Sequence, residues 1–179
     1  ASWTVVGDAA QSAWPDPAES LTARADAWGG QEHRLFHMGT NYRNAREIFD
    51  YAAAVVRTEV PDADIPEAVR ETGIPPREGS LGELAVDAVA AEVARLGEEV
   101  DGTIAVITPR RYAAALAGLD GSAQGRVRVL DPLSTKGLEW DATVVVDPDE
   151  IVRESPGGIR TLYVVLTRAA HRMSVLRSQ

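Results

Sequence analysis

Thr103-Ile-Ala-Val-Ile-Thr-Pro109 is a short apolar run closed by a proline. Its β-branched residues predict a buried strand over 103–107. Pro109 suits the first turn of a helix, so a helix is expected to run from it through about Leu119. On the amino side, Leu81, Leu84, Ala85, Ala88, Val89, Val93 and Leu96 recur at helical spacing, and Gly97, Asp101 and Gly102 end that pattern. A fully apolar strand set between two amphipathic helices is the repeating unit of an α/β protein with a parallel sheet.

The same alternation continues outward. Trp3–Asp8 and His33–Met38 read as strands, with Pro15, Asp16 and Pro17 breaking the chain between them. Asn44-Ala-Arg-Glu47 has the spacing of a capping box and opens a helix carrying Ile48, Phe49, Ala52, Val55 and Val56. Residues 61–79 are proline-rich and read as irregular. Arg126–Leu130, Thr143–Asp147 and Met173–Leu176 read as strands, and Gly158–Ala169 as a helix. The expected fold is α/β, a parallel sheet sandwiched by helices, with ligand sites sought beyond the carboxyl ends of the strands.

Composition narrows the function. The chain has 179 residues, 45% hydrophobic and 25% charged, as a soluble globular domain does. No apolar run approaches the roughly 20 residues of a membrane span, and no signal-peptide pattern opens the sequence, so a cytoplasmic location without membrane contact is expected. There are no cysteines, which excludes disulfides and thiolate metal sites. A net charge of -9 argues against unaided gripping of a nucleic-acid backbone. Lys136 is the single lysine.

Four stretches carry chemistry: Val6-Gly-Asp-Ala-Ala-Gln-Ser-Ala-Trp14, Asn41-Tyr-Arg-Asn44, Lys136-Gly-Leu-Glu-Trp-Asp141 and Leu162-Tyr-Val-Val-Leu-Thr-Arg168. Singly, each is an ordinary turn or helix end. In this order they resemble the third to sixth motifs of UvrD/Rep-like superfamily-one helicases, motors built of two RecA-like domains. The resemblance runs from Val6 to about Leu176. It implies a RecA-like fold, with residues 1–25 closing a first domain and 26–179 forming the second.

The resemblance also implies roles. Gln11 would sense the terminal phosphate of ATP, Tyr42 would stack on adenine, and Arg43 and Arg168 would be arginine fingers. Glu139 would bind the ribose, with Lys136 and the Gly137 backbone beside the nucleotide. Phosphoryl transfer spreads charge over the equatorial oxygens, and a guanidinium fork fits them well. ATP with Mg2+ would be held mainly by the first domain, because G-x-x-x-x-G-K-[ST] is impossible here: the one lysine precedes its glycine. The chain alone is therefore expected not to hydrolyse ATP.

Three departures bear on the partner. Asp131 and Leu133 stand where the family has a Thr and a His that touch single-stranded DNA. Trp14 keeps one DNA-stacking aromatic, but Asp16 replaces the second. About 85 residues separate Arg43 from Asp131, too few for the extra domain of the DNA unwinders. This compactness resembles the HelD-like branch, which acts on RNA polymerase. The alternatives are a module translocating on single-stranded DNA and a non-catalytic interaction domain.

Other clusters read more simply. His33 and His37, on a strand, would lie about 13 Å apart, too far to share a metal. Asp147, Asp149 and Glu150 read as a solvated acidic turn. Trp3, Trp28 and Trp140 read as core or domain-contact aromatics, and His171 and Arg172 as helix-end decoration.

Overall fold

A computed structural model describes residues 3–7, 11, 16–29, 32, 34, 36, 38–60 and 65–178. The chain order is α1 (Pro17–Trp28), β1 (Thr40–Ala45), α2 (Arg46–Arg57), β2 (Glu67–Arg70), β3 (Arg77–Ser80), α3 (Ala85–Glu99) and β4 (Ile104–Ile107), then α4 (Arg110–Leu116), the short α5 (Ser122–Gly125), β5 (Val127–Leu130), β6 (Trp140–Val146), α6 (Pro148–Glu154), α7 (Ile159–Leu166) and β7 (Ala169–Arg177). Five strands form one sheet in the order β3-β7-β6-β4-β5, every pair parallel. β1 and β2 pair separately, also parallel.

Side-chain alternation builds the two faces. Ala105 and Ile107 of β4, with Val145 of β6 and Val175 of β7, pack beneath α2, α6 and α7. Ile104 and Val106, with Val144 and Val146, pack beneath α3 and α4. With both faces covered, all four residues of β4 are buried. This is the expected RecA-like α/β sandwich.

Several local expectations are corrected. Residues 3–7 form no strand, and Trp3 is 87% exposed rather than core; a lone strand needs a ladder partner to satisfy its backbone, and none of the described elements offers one. Residues 34, 36 and 38 are exposed coil, and the strand begins at Thr40 instead. The capping box is absent: the N-cap of α2 is Ala45, without a side-chain bond. Asn44 and Glu47 serve longer-range contacts. Glu47 accepts the amides of Thr72 and Gly73, fixing the turn after β2 onto the first turn of α2. Inside 61–79 two short strands appear, β2 and β3. Asp147 is 1% exposed, so it is no solvated turn; α6 follows it. His171 and Arg172 lie within β7.

α1 was not expected. Asp16 caps it, accepting from Ala18 N and Glu19 N at 2.9 and 3.1 Å, and Pro17 opens its first turn.

Candidate functional site

The four quoted segments meet at the amino ends of β6 and β7, opposite the edge where the fold class predicts a ligand site. That rule describes a crevice a sheet forms by itself. Here the buried carboxylate at that end is satisfied by its own neighbours. Asp147, at the end of β6, accepts from Tyr112 Oη at 3.2 Å and Ser178 Oγ at 3.1 Å, and lies 3.7 Å from Arg111.

At the amino end, β1 carries a bulge. Thr40 and Asn41 pair with Glu67 and Ala68, but the next partners are Ala45 and Arg70. Asn41 to Ala45 advances four residues while Ala68 to Arg70 advances two. The surplus lifts residues 42–44 out of the ladder, and bulges of this kind re-aim side chains. Tyr42 projects 71% exposed. Asn41 Oδ1 accepts the amides of Arg43 (2.9 Å) and Asn44 (3.3 Å), shaping the bulge.

Asn44, 2% exposed, crosses to the other motif. Its amide nitrogen donates to Thr167 O at 2.9 Å and Ala169 O at 2.7 Å. This ties the Asn41–Asn44 stretch to both sides of Arg168.

Arg168 is 2% exposed. Nε donates to Val164 O (2.8 Å), Nη1 to Leu138 O (3.0 Å), and Nη2 to Thr167 Oγ1 (3.1 Å) and Gln11 Oε1 (3.3 Å). Its own carbonyl accepts Trp140 N at 3.0 Å. The 138–140 segment is therefore docked on Arg168 from both directions, and Gln11 touches the same guanidinium.

One residue along, Glu139 Oε2 accepts from Arg43 Nε at 2.9 Å. Both side chains are about half exposed, at 46% and 49%. Such a pair is worth roughly 0.2–1 kcal/mol, so a phosphate oxygen can compete with Glu139 for the guanidinium. Gly137 has φ +81°, a conformation that favours glycine. That bend sets Leu138 O toward Arg168 and Glu139 toward Arg43. Lys136 is exposed just before it.

The structure thus brings together Gln11 with Arg168 and Arg43 with Glu139, around one short segment, with Tyr42 on the neighbouring bulge. Trp14, His33 and His37 lie outside the described residues. Asp131, before the fifth motif, caps its own turn, accepting from Leu133 N and Ser134 N at 3.0 and 3.1 Å and from Ser134 Oγ. Burial pushes its carboxyl up, but the Ser134 hydroxyl and these amides outweigh that, and the net shift is downward. It stays an anion. Among the described residues no cluster of His, Asp or Glu could hold a metal ion, and no helix is long and apolar enough to cross a membrane.

Sequence reasoning missed Arg70 and His171, which flank the bulge. Arg70 Nη1 donates to Arg43 O, and Nη2 lies beside His171 Nδ1. No motif signals them, because the contacts join β2, β1 and β7 across 101 residues of sequence.

Sheet and rim together define a RecA-like α/β domain with a half-exposed Arg43–Glu139 pair at the amino ends of its central strands. Among solved structures, the chain is similar to the C-terminal domain of a possible DNA helicase from Lactobacillus plantarum WCFS1. The TM-score is 0.55 at 21% sequence identity, covering 77% of this chain and 88% of that one. At that identity the likeness is one of fold. No protein-family profile matches the chain, and no curated protein does.

Proposed function

We propose that this chain is the C-terminal motor domain of an ATP-dependent helicase or translocase of the UvrD/Rep type. In this reading it lends Arg43 and Arg168 to ATP and Mg2+ held mainly by a partner RecA-like domain. The observation that carries it is the convergence of residues 11, 43, 139 and 168 on one rim, although they lie in four separate segments. Tyr42 would stack on the base and Glu139 would meet the ribose, beside Lys136 and Gly137. ATP then joins two domains, and its hydrolysis releases them, turning chemistry into motion. The similar solved domain is named as part of a possible DNA helicase, which agrees with this reading.

Asp131 favours a HelD-like role on RNA polymerase over translocation along single-stranded DNA. A turn-capping carboxylate held anionic repels a phosphate backbone at the position where the DNA-tracking relatives touch it.

The test is ATPase activity. The isolated chain is expected to release no phosphate. In the complete motor, Arg43→Ala should lower kcat by about 10³ or more, the weight of an arginine finger. Wild-type turnover in the variant would leave only the non-catalytic interaction domain. Stimulation by RNA polymerase rather than by single-stranded DNA would select the HelD-like branch; the opposite preference would select the DNA helicase.

A further inference from the structure

The bulge in β1 leaves the Arg43 carbonyl without a ladder partner, and a side chain takes that place. Arg70 reaches back from β2, and its Nη1 donates to Arg43 O at 2.9 Å. Its Nη2 lies 2.8 Å from His171 Nδ1 on β7. A guanidinium can only donate, so Nδ1 is the accepting nitrogen and the imidazole carries its proton on Nε2. Nε2 lies 4.0 Å from Asp141 Oδ1 on β6. Asp141 is fixed in turn, its Oδ2 accepting Thr103 N at 2.8 Å and Thr103 Oγ1 at 3.1 Å. The neighbouring Arg172 donates to the His171 carbonyl and pairs with Glu99 of α3. Arg70 and Asp141 are thus the charged groups that face the ring from β2 and β6.

The consequence falls on Arg43. Its amide is held by Asn41 Oδ1, its carbonyl by Arg70, and its side chain by Glu139. The main chain is tied at a place where the β1–β2 ladder is interrupted.

We infer that Arg70, oriented by a neutral His171, is the positioning residue that fixes the main chain of Arg43 and so sets where its guanidinium meets a phosphate. The catalytic half rests on the proposed nucleotide role of Arg43; the Arg70–His171 clamp does not.

Two measurements on this chain test the clamp. Long-range proton–nitrogen correlation of the imidazole in weakly alkaline buffer should show Nδ1 unprotonated and Nε2 protonated. Amide exchange at Arg43 and Asn44 should rise about tenfold or more in Arg70→Ala, a loss of one charge-assisted bond, while the β4 and β6 amides stay unchanged. His171→Asn, which can offer an oxygen near the Nδ1 position, should restore the slow exchange that His171→Leu loses. A proton on Nδ1 in the wild-type chain, or exchange at 43–44 indifferent to Arg70, overturns the inference without reference to nucleotide.

In the complete motor, Arg70→Ala should lower kcat about tenfold to a hundredfold with the KM for ATP moved much less, as misplacement of a transition-state contact does. Unchanged kcat beside a crippled Arg43→Ala overturns the positioning role. If Arg43→Ala is itself silent while the tautomer and exchange results hold, the nucleotide reading fails and the clamp is purely structural.

Discussion

The two ends of the central sheet treat charge in opposite ways. At the carboxyl end, Asp147 is buried, satisfied by Tyr112, Ser178 and Arg111, and held at φ +47°. Nearby, Arg177 donates to Asp149, and Tyr51 donates to Glu78 at 2.6 Å. Of these groups Asp147 is the buried one; Asp149 and Glu78 remain more than half exposed around it. At the amino end, Arg43 on the raised bulge and Glu139 on the segment before β6 stand half exposed, with Tyr42 beside Arg43. Asp147 closes its end of the domain, whereas the Arg43–Glu139 pair can exchange partners in front of a buried, internally bonded Arg168. Charge density alone does not separate these cases; the difference lies in spare bonding capacity.

The largest expected effect attacks the amino end. Arg168→Ala in the complete motor should reduce ATP turnover by about 10³–10⁵, roughly 4–7 kcal/mol of barrier. Because Leu138 O would lose its donor, denaturant melts of this chain should also show a loss of about 1–3 kcal/mol. Intact turnover would mean that the two ends do not differ in function.

Asp147→Ala is the reciprocal variant at the carboxyl end. It should cost about 1.5–3 kcal/mol of stability through bonds to a charged acceptor, while turnover per folded motor holds at the wild-type level. A catalytic loss without unfolding would erase the contrast.

Gly137→Ala should cost about 1–2 kcal/mol, from placing a Cβ at φ +81°. The space around that position is open, so the penalty is conformational rather than steric. Chemical-shift changes should centre on residues 136–140 and reach Arg43 and Arg168, with the carboxyl end silent.

The smallest effect concerns pH. Burial pushes the Glu47 carboxyl up, but the amides of Glu47 itself, Gly73 and Thr72 and the Thr72 hydroxyl outweigh it, and its pKa is lowered in the fold. Its stabilisation is therefore full above the ordinary glutamate value of about 4.3 and lost as pH falls through the folded value. Glu47→Gln should flatten the acid limb of a stability-versus-pH curve. In the wild-type chain, amides near Thr72 and Gly73 should loosen in acid, and Glu47→Gln should remove that pH dependence.

How far this was legible depends on the range of the forces involved. β4, α3 and α4 were readable because burial on both faces imposes an apolar run, and burial on one face imposes helical spacing. The helix at 17–28 was signalled by Asp16 and Pro17, but two prolines around an aspartate read equally well as a break. Asn44 and Glu47 show the opposite failure: their spacing matches a local cap, yet stronger partners come from Thr167, Ala169 and the 72–73 turn. The apolar residues at 3–7 carry a strand pattern that nothing among the described residues completes. At the site, motif order pointed to residues 11, 43, 139 and 168, whereas the burial of Arg168 and the service of Arg70 depend on contacts between distant segments.

The surplus length of β1 has a consequence for insertions and deletions. Removing Tyr42 and Arg43 would equalise the two runs of chain between their shared pairings and yield a more regular ribbon. A version of this domain can thus lose its outward contact and gain local order in a single event. Natural chains that shorten by two residues here should keep the sheet and lack the Arg43–Glu139 pair.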